Sequence, residues 1–277
     1  MLQSLALRAF LAADADNIAV LPDYIGFEIY KTQSLAGLAA AFSVIGNFPD
    51  QVTVLRSWGE IALIDELCPE LVSRMQVEDV PAGIRRMAEE LAALDGDETG
   101  ASDALREHWA AAASQAEDML LGADDIAVSL PEIAETFTLA ELRLCRVNGR
   151  YTDDMFAKIY GAADELYEQA AEGLGAVVRR ERSRARYDSY LYRQGLVTII
   201  YALGWIREGS RPPKRLDRVR NDVIDMQFAV YATYFSGLLT EDKKAGWLYE
   251  NLRRALRSVY DNDGLAWPAP PNPWWEE

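Results

Sequence analysis

The N-terminal part of the chain alternates between helically spaced apolar side chains and short apolar runs. The spacing predicts helices over residues 2–13, 24–32 and 34–45, and the runs predict strands at residues 17–21 and 51–55. Strands that are separated by helices form βαβ units, and such strands pair in parallel. Residues 1–60 therefore predict an α/β layer with a short parallel sheet.

The pattern changes between residues 61 and 215, where long amphipathic segments follow one another without a convincing strand. Helices are predicted at residues 81–94, 103–121, 130–146, 153–186 and 190–207. Pro81 suits the first position of its helix, because the missing N–H would have no helical partner there. This stretch predicts a helical insertion or a helical second layer.

The α/β pattern returns after a basic, turn-rich connector at residues 207–215. A helix is predicted at residues 221–235, a short apolar strand at residues 237–240 and a further helix at residues 243–259. The Pro- and Trp-rich tail that follows cannot form a regular helix, and we expect it to dock across its own domain.

These segments predict a single α/β core that is interrupted in sequence. Residues 1–60 form its N-terminal half, residues 61–215 form a long all-helical insertion, and residues 216–277 form its C-terminal half with the tail. The insertion could serve as a lid, a homodimer interface or a site for a partner protein.

Composition restricts the classes of function. No apolar run approaches the roughly 20 residues that span a bilayer, and the start of the chain reads as a first helix rather than a signal peptide. These features predict a cytoplasmic protein without membrane contact. Cys68 and Cys145 are expected to be small buried apolar residues, and the only histidine, His108, is expected to be a surface or half-buried helix residue. A structural zinc site and the usual Ser-His or Cys-His pairs are therefore disfavoured.

Charge gives a mixed indication about nucleic acid. The net charge of −16 repels nucleic acid at long range. Residues 179–220, however, carry more basic than acidic side chains. Within them, Arg182, Arg184 and Arg186 are followed by Tyr187, Tyr190 and Tyr192, a composition that suits phosphate contacts and base stacking along single-stranded RNA. The alternative is a solvated helix face whose charges pair with nearby acidic helices.

Acidic residues recur where predicted strands end. Asp23 follows the first strand, and Glu28 lies just over one helical turn further on. Asp222 and Asp225 are three residues apart near the start of a predicted helix, and Asp242 follows the predicted strand at residues 237–240. Ligands of open parallel sheets bind beyond the carboxyl ends of the strands, so these acids are candidates for one site. Each acid could instead be a helix N-cap or a surface charge.

The C-terminal segment resembles the signature of PIN-domain nucleases, in which an acid on a helix precedes a strand that ends in a Thr-x-Asp-Lys-like motif. Asp225 matches the helix acid, and Thr240-Glu241-Asp242-Lys243 matches the motif. Asp23 matches the family's first acid, and Glu28 is the best candidate for the remaining one, although it lies closer to Asp23 than is usual. The resemblance covers residues 15–60 and 216–260, and it implies a three-layer α/β/α core with a short parallel sheet.

The resemblance also implies a chemistry, namely hydrolysis of phosphodiester bonds with Mg²⁺ or Mn²⁺. Hard oxygen ligands suit these ions, and the metal neutralises phosphate charge and activates water. We expect Asp23, Asp225 and Asp242 to be metal ligands, and Asp222 competes with Asp225 as a fourth. Glu28 would be a ligand or would orient the water. Thr240 would orient a carboxylate or a water.

The leading hypothesis is therefore a metal-dependent endonuclease, more readily an endoribonuclease, of the kind that serves as a toxin, a defence effector or an RNA-processing enzyme. Fold does not decide among these roles. Two alternatives stay open. The first is a PIN-like module that has lost catalysis and binds or regulates. The second is a helical scaffold or adaptor in which the acids are caps and surface charges.

Overall fold

The structure is a computed structural model that describes residues 5–30, 34–64, 70–93, 103–148, 151–176, 178–179, 183–210 and 216–265. It is mostly helical, with one small parallel sheet, and is compatible with an α/β fold. The first part of the chain contains α1 (Leu5–Ala13), β1 (Ala19–Leu21), α2 (Tyr24–Tyr30), α3 (Leu35–Ile45), β2 (Val52–Val54), α4 (Trp58–Ala62), α5 (Glu70–Arg74) and α6 (Val80–Ala93). The rest contains α7 (Asp103–Glu135), α8 (Leu139–Asn148), α9 (Asp153–Leu174), α10 (Arg184–Asp188), α11 (Tyr190–Arg207), α12 (Leu216–Ala232) and α13 (Lys243–Asn262).

The two strands pair in parallel, as the sequence predicts. Ala19 is opposite Val52 and Leu21 is opposite Val54. The β-branched residues of Val52–Val54 favour the extended conformation, and the helices between the strands provide the crossover that parallel pairing requires.

Contacts within the chain divide it into two compact units. The first comprises Met1–Glu60 and Ser73–Met119, and the second comprises Ile61–Val72 and Leu120–Glu277. The sequence-based division instead places residues 1–60 and 216–277 in one core. The difference arises because residues 73–119 pack with the N-terminal segment.

The first unit contains a small apolar cluster. Leu35 and Leu38 of α3 are buried with Leu105 of α7. Partly buried neighbours cover this cluster: Ile29, Tyr30, Phe42, Leu91 and Trp109. The exposed His108 stacks on Tyr30 with ring centroids 5.1 Å apart, which confirms that it is a surface helix residue.

The second unit is built around α11, most of whose residues are buried. This helix packs most extensively on α9 and also contacts α8, α12 and α13. Cys145 of α8 is buried against it, as expected, whereas Cys68 lies outside the described residues.

Two helix boundaries differ from the prediction. The sequence predicts a break between residues 121 and 130, but α7 continues through this region and through Pro131. The break comes later, where the Thr138 hydroxyl and the Glu141 carboxylate cap each other's backbone N–H groups at the start of α8.

The helix predicted over residues 153–186 is also shorter than expected. It ends at Leu174 because Gly175 adopts a left-handed conformation with φ 68°, which glycine tolerates without strain. A separate helix, α10, then begins after Ser183, whose hydroxyl accepts the Arg186 backbone N–H. In the described residues, no helix combines the length and the apolar character needed to cross a membrane.

Candidate functional site

Asp23 lies at the carboxyl end of the parallel strand pair, as the sequence predicts. It follows β1 after Pro22, and its carboxylate accepts the backbone N–H groups of Tyr24 at 2.9 Å and Trp58 at 3.3 Å. Trp58 opens α4, the helix that follows β2. Asp23 therefore joins the ends of both strands.

Asp23 is half-buried and lies next to the buried Tyr24. Burial, with a smaller contribution from the Asp23 charge, raises the pKa of Tyr24 above its ordinary value. Glu28 belongs to the same helix as Tyr24, but its side chain is outside the described part of the structure. Its role as a ligand or a base therefore stays a prediction.

Asp222 of α12 is held by two side chains of the second unit. One of its carboxylate oxygens, Oδ2, accepts a hydrogen bond from the Tyr201 hydroxyl at 2.9 Å. The same oxygen lies 2.6 Å from the Lys244 ammonium. Because α12 already begins at Leu216, Asp222 is not the N-cap that the sequence also suggests.

Asp225 lies one turn further along α12 and is half-buried. Its place on the helix agrees with the spacing seen in the sequence, since residues three apart share a helix face.

Asp242 caps a helix. Its Oδ1 atom accepts the backbone N–H groups of Lys244 at 2.6 Å and Ala245 at 3.1 Å, two of the donors that the first turn of α13 leaves unpaired. Thr240 supports this arrangement, since its hydroxyl oxygen accepts the Asp242 backbone N–H at 3.0 Å.

The prediction of a strand at residues 237–240 is wrong. The segment that leads to Asp242 has no regular structure, and it pairs with neither β1 nor β2. Leu239 is 47% exposed, so the short apolar run has little buried surface to hold it in a sheet. Asp242 therefore follows a loop rather than a strand.

Asp222 and Asp242 meet at a residue that sequence reasoning did not select. Lys244 contacts Asp222 through its ammonium and Asp242 through its backbone N–H. Its ammonium also lies 4.8 Å from the centroid of the Tyr201 ring. Lys244 directly follows the Thr-x-Asp-Lys-like motif, so its position in the sequence could have identified it. Tyr201 has no such signal, because only the packing of α11 on α12 brings it to Asp222.

The predicted acids do not fit a metal site in this arrangement. Their oxygen atoms have the chemistry that Mg²⁺ and Mn²⁺ prefer. Across the residues that the structure describes, however, no three His, Cys, Asp or Glu side chains are grouped so that they could hold a metal ion. Asp23 belongs to the first unit, whereas Asp222, Asp225 and Asp242 belong to the second.

The basic segment is organised differently from the predicted RNA path. Arg186 is only 2% exposed, and its guanidinium lies 2.6 Å from Asp164 and 3.5 Å from Glu168. Arg184 lies 3.2 Å from Asp188. Arg182 is outside the described residues. The prediction that Arg186 contacts substrate phosphates does not agree with its burial between two carboxylates.

The tyrosines of this segment are buried as well. Tyr187, Tyr190 and Tyr192 are each 2% exposed or less, so they are not accessible for base stacking. Tyr192 packs edge-on against Tyr167, and the Arg186 guanidinium lies 4.8 Å from the Tyr167 ring centroid. The pairing with acidic side chains that the sequence suggests as an alternative is present, and within it Arg186 is buried rather than solvated.

No family model, curated protein or solved structure matches this chain. Inference about function therefore depends on the chain's own residues and their contacts.

Proposed function

We propose that this chain is a PIN-like, metal-dependent endonuclease that cuts single-stranded RNA, with a three-layer α/β/α core. The parallel pairing of β1 and β2 supports the core, and the position of Asp23 at the carboxyl ends of these strands supports the site. Carboxylate oxygens suit Mg²⁺ or Mn²⁺, which would be the cofactor.

The observation that carries the proposal is the meeting of Asp222 and Asp242 at Lys244. Asp222 belongs to α12 and Asp242 caps α13, and the packing of α12 on α13 brings both to Lys244. Asp225 adds a half-buried carboxylate one turn from Asp222. Neighbouring carboxylates repel each other unless a cation lies nearby, and metal-dependent phosphodiester hydrolysis uses carboxylates as ligands.

We assign no step of the hydrolysis to a metal, because the described acids are not gathered around one point. The roles that the chain itself supports are positional. The Trp58 N–H holds the Asp23 carboxylate, Thr240 fixes the backbone of Asp242, and Tyr201 orients one oxygen of Asp222.

The test is cleavage of labelled single-stranded RNA and DNA by the full chain in Mn²⁺ or in EDTA. We expect the wild type to cut RNA in Mn²⁺ alone, and we expect Asp225→Asn and Asp23→Asn to lose this cleavage. Glu241→Gln is the matched control, because Glu241 is an exposed acid in the same motif without a predicted role. Equal cutting by wild type and both Asn variants would assign the activity to a contaminant and overturn the proposal.

A second candidate is a PIN-like module without catalysis, which binds a partner or regulates. The ion pair of Lys244 with Asp222 favours it, since an internal ammonium already balances one of the acids. Absence of Mn²⁺-dependent cleavage in the same assay, with the fold intact by circular dichroism, would select this candidate. A partner or homodimer contact through residues 61–215 remains part of either proposal.

A further inference from the structure

Three aromatic side chains form a ladder at the start of α9, namely Tyr151, Phe156 and Tyr160. The Phe156 ring centroid lies 5.8 Å from that of Tyr151, and it is stacked at 6.3 Å on Tyr160. Phe156 is 40% exposed and the two tyrosines are half-buried, whereas Tyr167, further along the same helix, is buried. The aromatic ladder is therefore an apolar surface that is partly open to solvent.

The aromatic ladder adjoins the C-terminal half of α13. The Tyr160 hydroxyl donates to the Ala255 carbonyl oxygen at 3.4 Å. From the level of this contact, α13 continues for about 10 Å before it ends at Asn262. The segment that follows α13 therefore starts close to the aromatic ladder and belongs to the same unit.

The end of α13 is fixed by a helix cap. Gly264 adopts a left-handed conformation with φ 66°, and the Leu265 backbone N–H donates to the Tyr260 carbonyl oxygen at 2.8 Å. These are the features of a Schellman motif, which ends a helix and turns the chain away from the helix axis. Residues 266–277, which lie outside the described part of the chain, therefore follow from a defined point and not from a continuing helix.

The sequence of residues 266–277 suits an aromatic surface. Four of these residues are prolines: Pro268, Pro270, Pro271 and Pro273. Prolines at this density favour the extended polyproline conformation, and aromatic-lined surfaces bind such segments because the conformation is largely preformed. Trp274 and Trp275 follow the prolines and supply a large apolar area.

The tail is long enough to reach the aromatic ladder. Trp274 comes nine residues after Leu265, and nine residues in the polyproline conformation span about 28 Å. Phe156 is one turn of α9, about 5 Å, beyond Tyr160. The distance along the two helices is therefore shorter than the span of the tail.

Charge favours the same arrangement. Arg254 and Arg257 are exposed on the turns of α13 next to Ala255, and Glu276 and Glu277 directly follow the two tryptophans. Exposed ion pairs add little affinity, but they favour an orientation that brings opposite charges together.

We propose that residues 266–277 dock on the aromatic ladder of their own chain, with Trp274 and Trp275 against Phe156. This inference is independent of the proposed nuclease. It assigns a surface, the start of α9 beside the last turns of α13, to the expectation from the sequence that the tail docks across its own domain.

The test is photo-cross-linking of the full chain with p-benzoyl-phenylalanine in place of Phe156. The probe-bearing chain is unlabelled and is mixed with an equal amount of ¹⁵N-labelled wild type, so that mass spectrometry separates cross-links within a chain from those between chains. We expect cross-links to residues 266–277 of the same chain. The matched control carries the probe in place of Val128, which is 62% exposed on α7 of the same unit, and should capture the tail about fivefold less often.

Two further preparations keep the inference falsifiable. Trp274→Ser combined with Trp275→Ser should lower the cross-linking yield at position 156 by roughly fivefold or more, because the largest apolar side chains of the tail are removed. If the chain with the probe at position 156 does not fold by circular dichroism, the probe takes the place of Trp274, and cross-links to residues 151–160 are expected.

Three results would overturn the inference. Failure of the folded, probe-bearing chain to capture its own tail would show that the tail does not cover the aromatic ladder and is available to a different protein. Capture of the ¹⁵N-labelled tail alone would make the ladder a contact between two copies of the chain. Equal capture by the probes at positions 156 and 128 would show that the tail has no preference for the ladder.

Discussion

Arg193 and Asp188 form an ion pair at 2.8 Å in which both side chains are only 1% exposed. Arg193 of α11 also donates to the Tyr187 carbonyl oxygen and to the carbonyl and hydroxyl oxygens of Thr233. Tyr260 of α13 donates its hydroxyl hydrogen to the same Asp188 oxygen at 2.5 Å. The pair therefore links α10, α11, the end of α12 and α13 within the second unit.

Replacing Arg193 leaves the buried Asp188 carboxylate with only the partly exposed Arg184 as a counter-ion, and it removes the donor to the Tyr187 and Thr233 oxygens. We expect Arg193→Met to lower the free energy of unfolding by about 3–5 kcal/mol, measured by urea denaturation. The matched control is Arg254→Met, which breaks an exposed pair with Glu250 at 4.0 Å and should cost less than about 1 kcal/mol. If the two variants lose similar amounts of unfolding free energy, burial of the Arg193 pair does not add to stability.

Gly195 lets α11 approach α9 closely. A Cβ atom at this position would lie 3.0 Å from the Ala163 carbonyl oxygen and 3.3 Å from the Leu166 Cβ atom. We expect Gly195→Ala to destabilise the fold by about 1–3 kcal/mol, because two packed backbones must separate. Gly161→Ala on α9 meets nothing within 4 Å and should instead stabilise by up to about 1 kcal/mol through helix propensity. Thermal denaturation of both variants checks the opposite signs.

The parts of the fold that depend on local periodicity could be predicted from the sequence. The parallel pairing of β1 with β2 and the position of Asp23 follow from the order of short apolar runs and amphipathic segments. The segment 237–240 could not be assigned in this way, because a short apolar run fits a strand and a loop equally well. The absence of a strand there changes the surroundings of Asp242 but not its position before a helix.

The contacts of the charged residues could not be predicted, because they depend on tertiary packing. Arg186 and Arg193 lie in a segment whose charge suggests a solvated face, yet carboxylates from their own and neighbouring helices allow both to be buried. Tyr201 similarly reaches Asp222 only after α11 has packed on α12. These tertiary contacts cannot be inferred from a single sequence.

Stability should depend on pH through Glu141. Hydrogen bonds from the Lys158 ammonium and, after it, from the Thr138 backbone N–H lower the pKa of Glu141 from 4.5 to about 2. Because the folded-state pKa lies below the unfolded value, the contribution of Glu141 is fully present above about pH 5 and is lost as the pH falls towards 2. The difference in urea midpoint between wild type and Glu141→Gln should therefore be larger at pH 7 than at pH 3.

The control for this prediction is Glu135→Gln, at the exposed end of α7. Its urea midpoint should differ from that of the wild type by the same small amount at pH 7 and at pH 3. A difference for Glu141→Gln that does not shrink at low pH would contradict the role of its charge and leave only the uncharged hydrogen bonds of the cap.

Asp242 allows its structural and functional roles to be separated. Asparagine caps helices about as well as aspartate, whereas alanine does not, so Asp242→Asn should retain wild-type stability and Asp242→Ala should lose about 1 kcal/mol. If Asp242 is also a metal ligand, both variants should lower Mn²⁺-dependent RNA cleavage by roughly a hundredfold or more, because the carboxylate charge is removed in each. If Asp242→Asn instead cuts RNA as fast as the wild type, and only the less stable Asp242→Ala is slower, Asp242 only caps α13. Urea denaturation and the RNA cleavage assay on the same three preparations give both readouts.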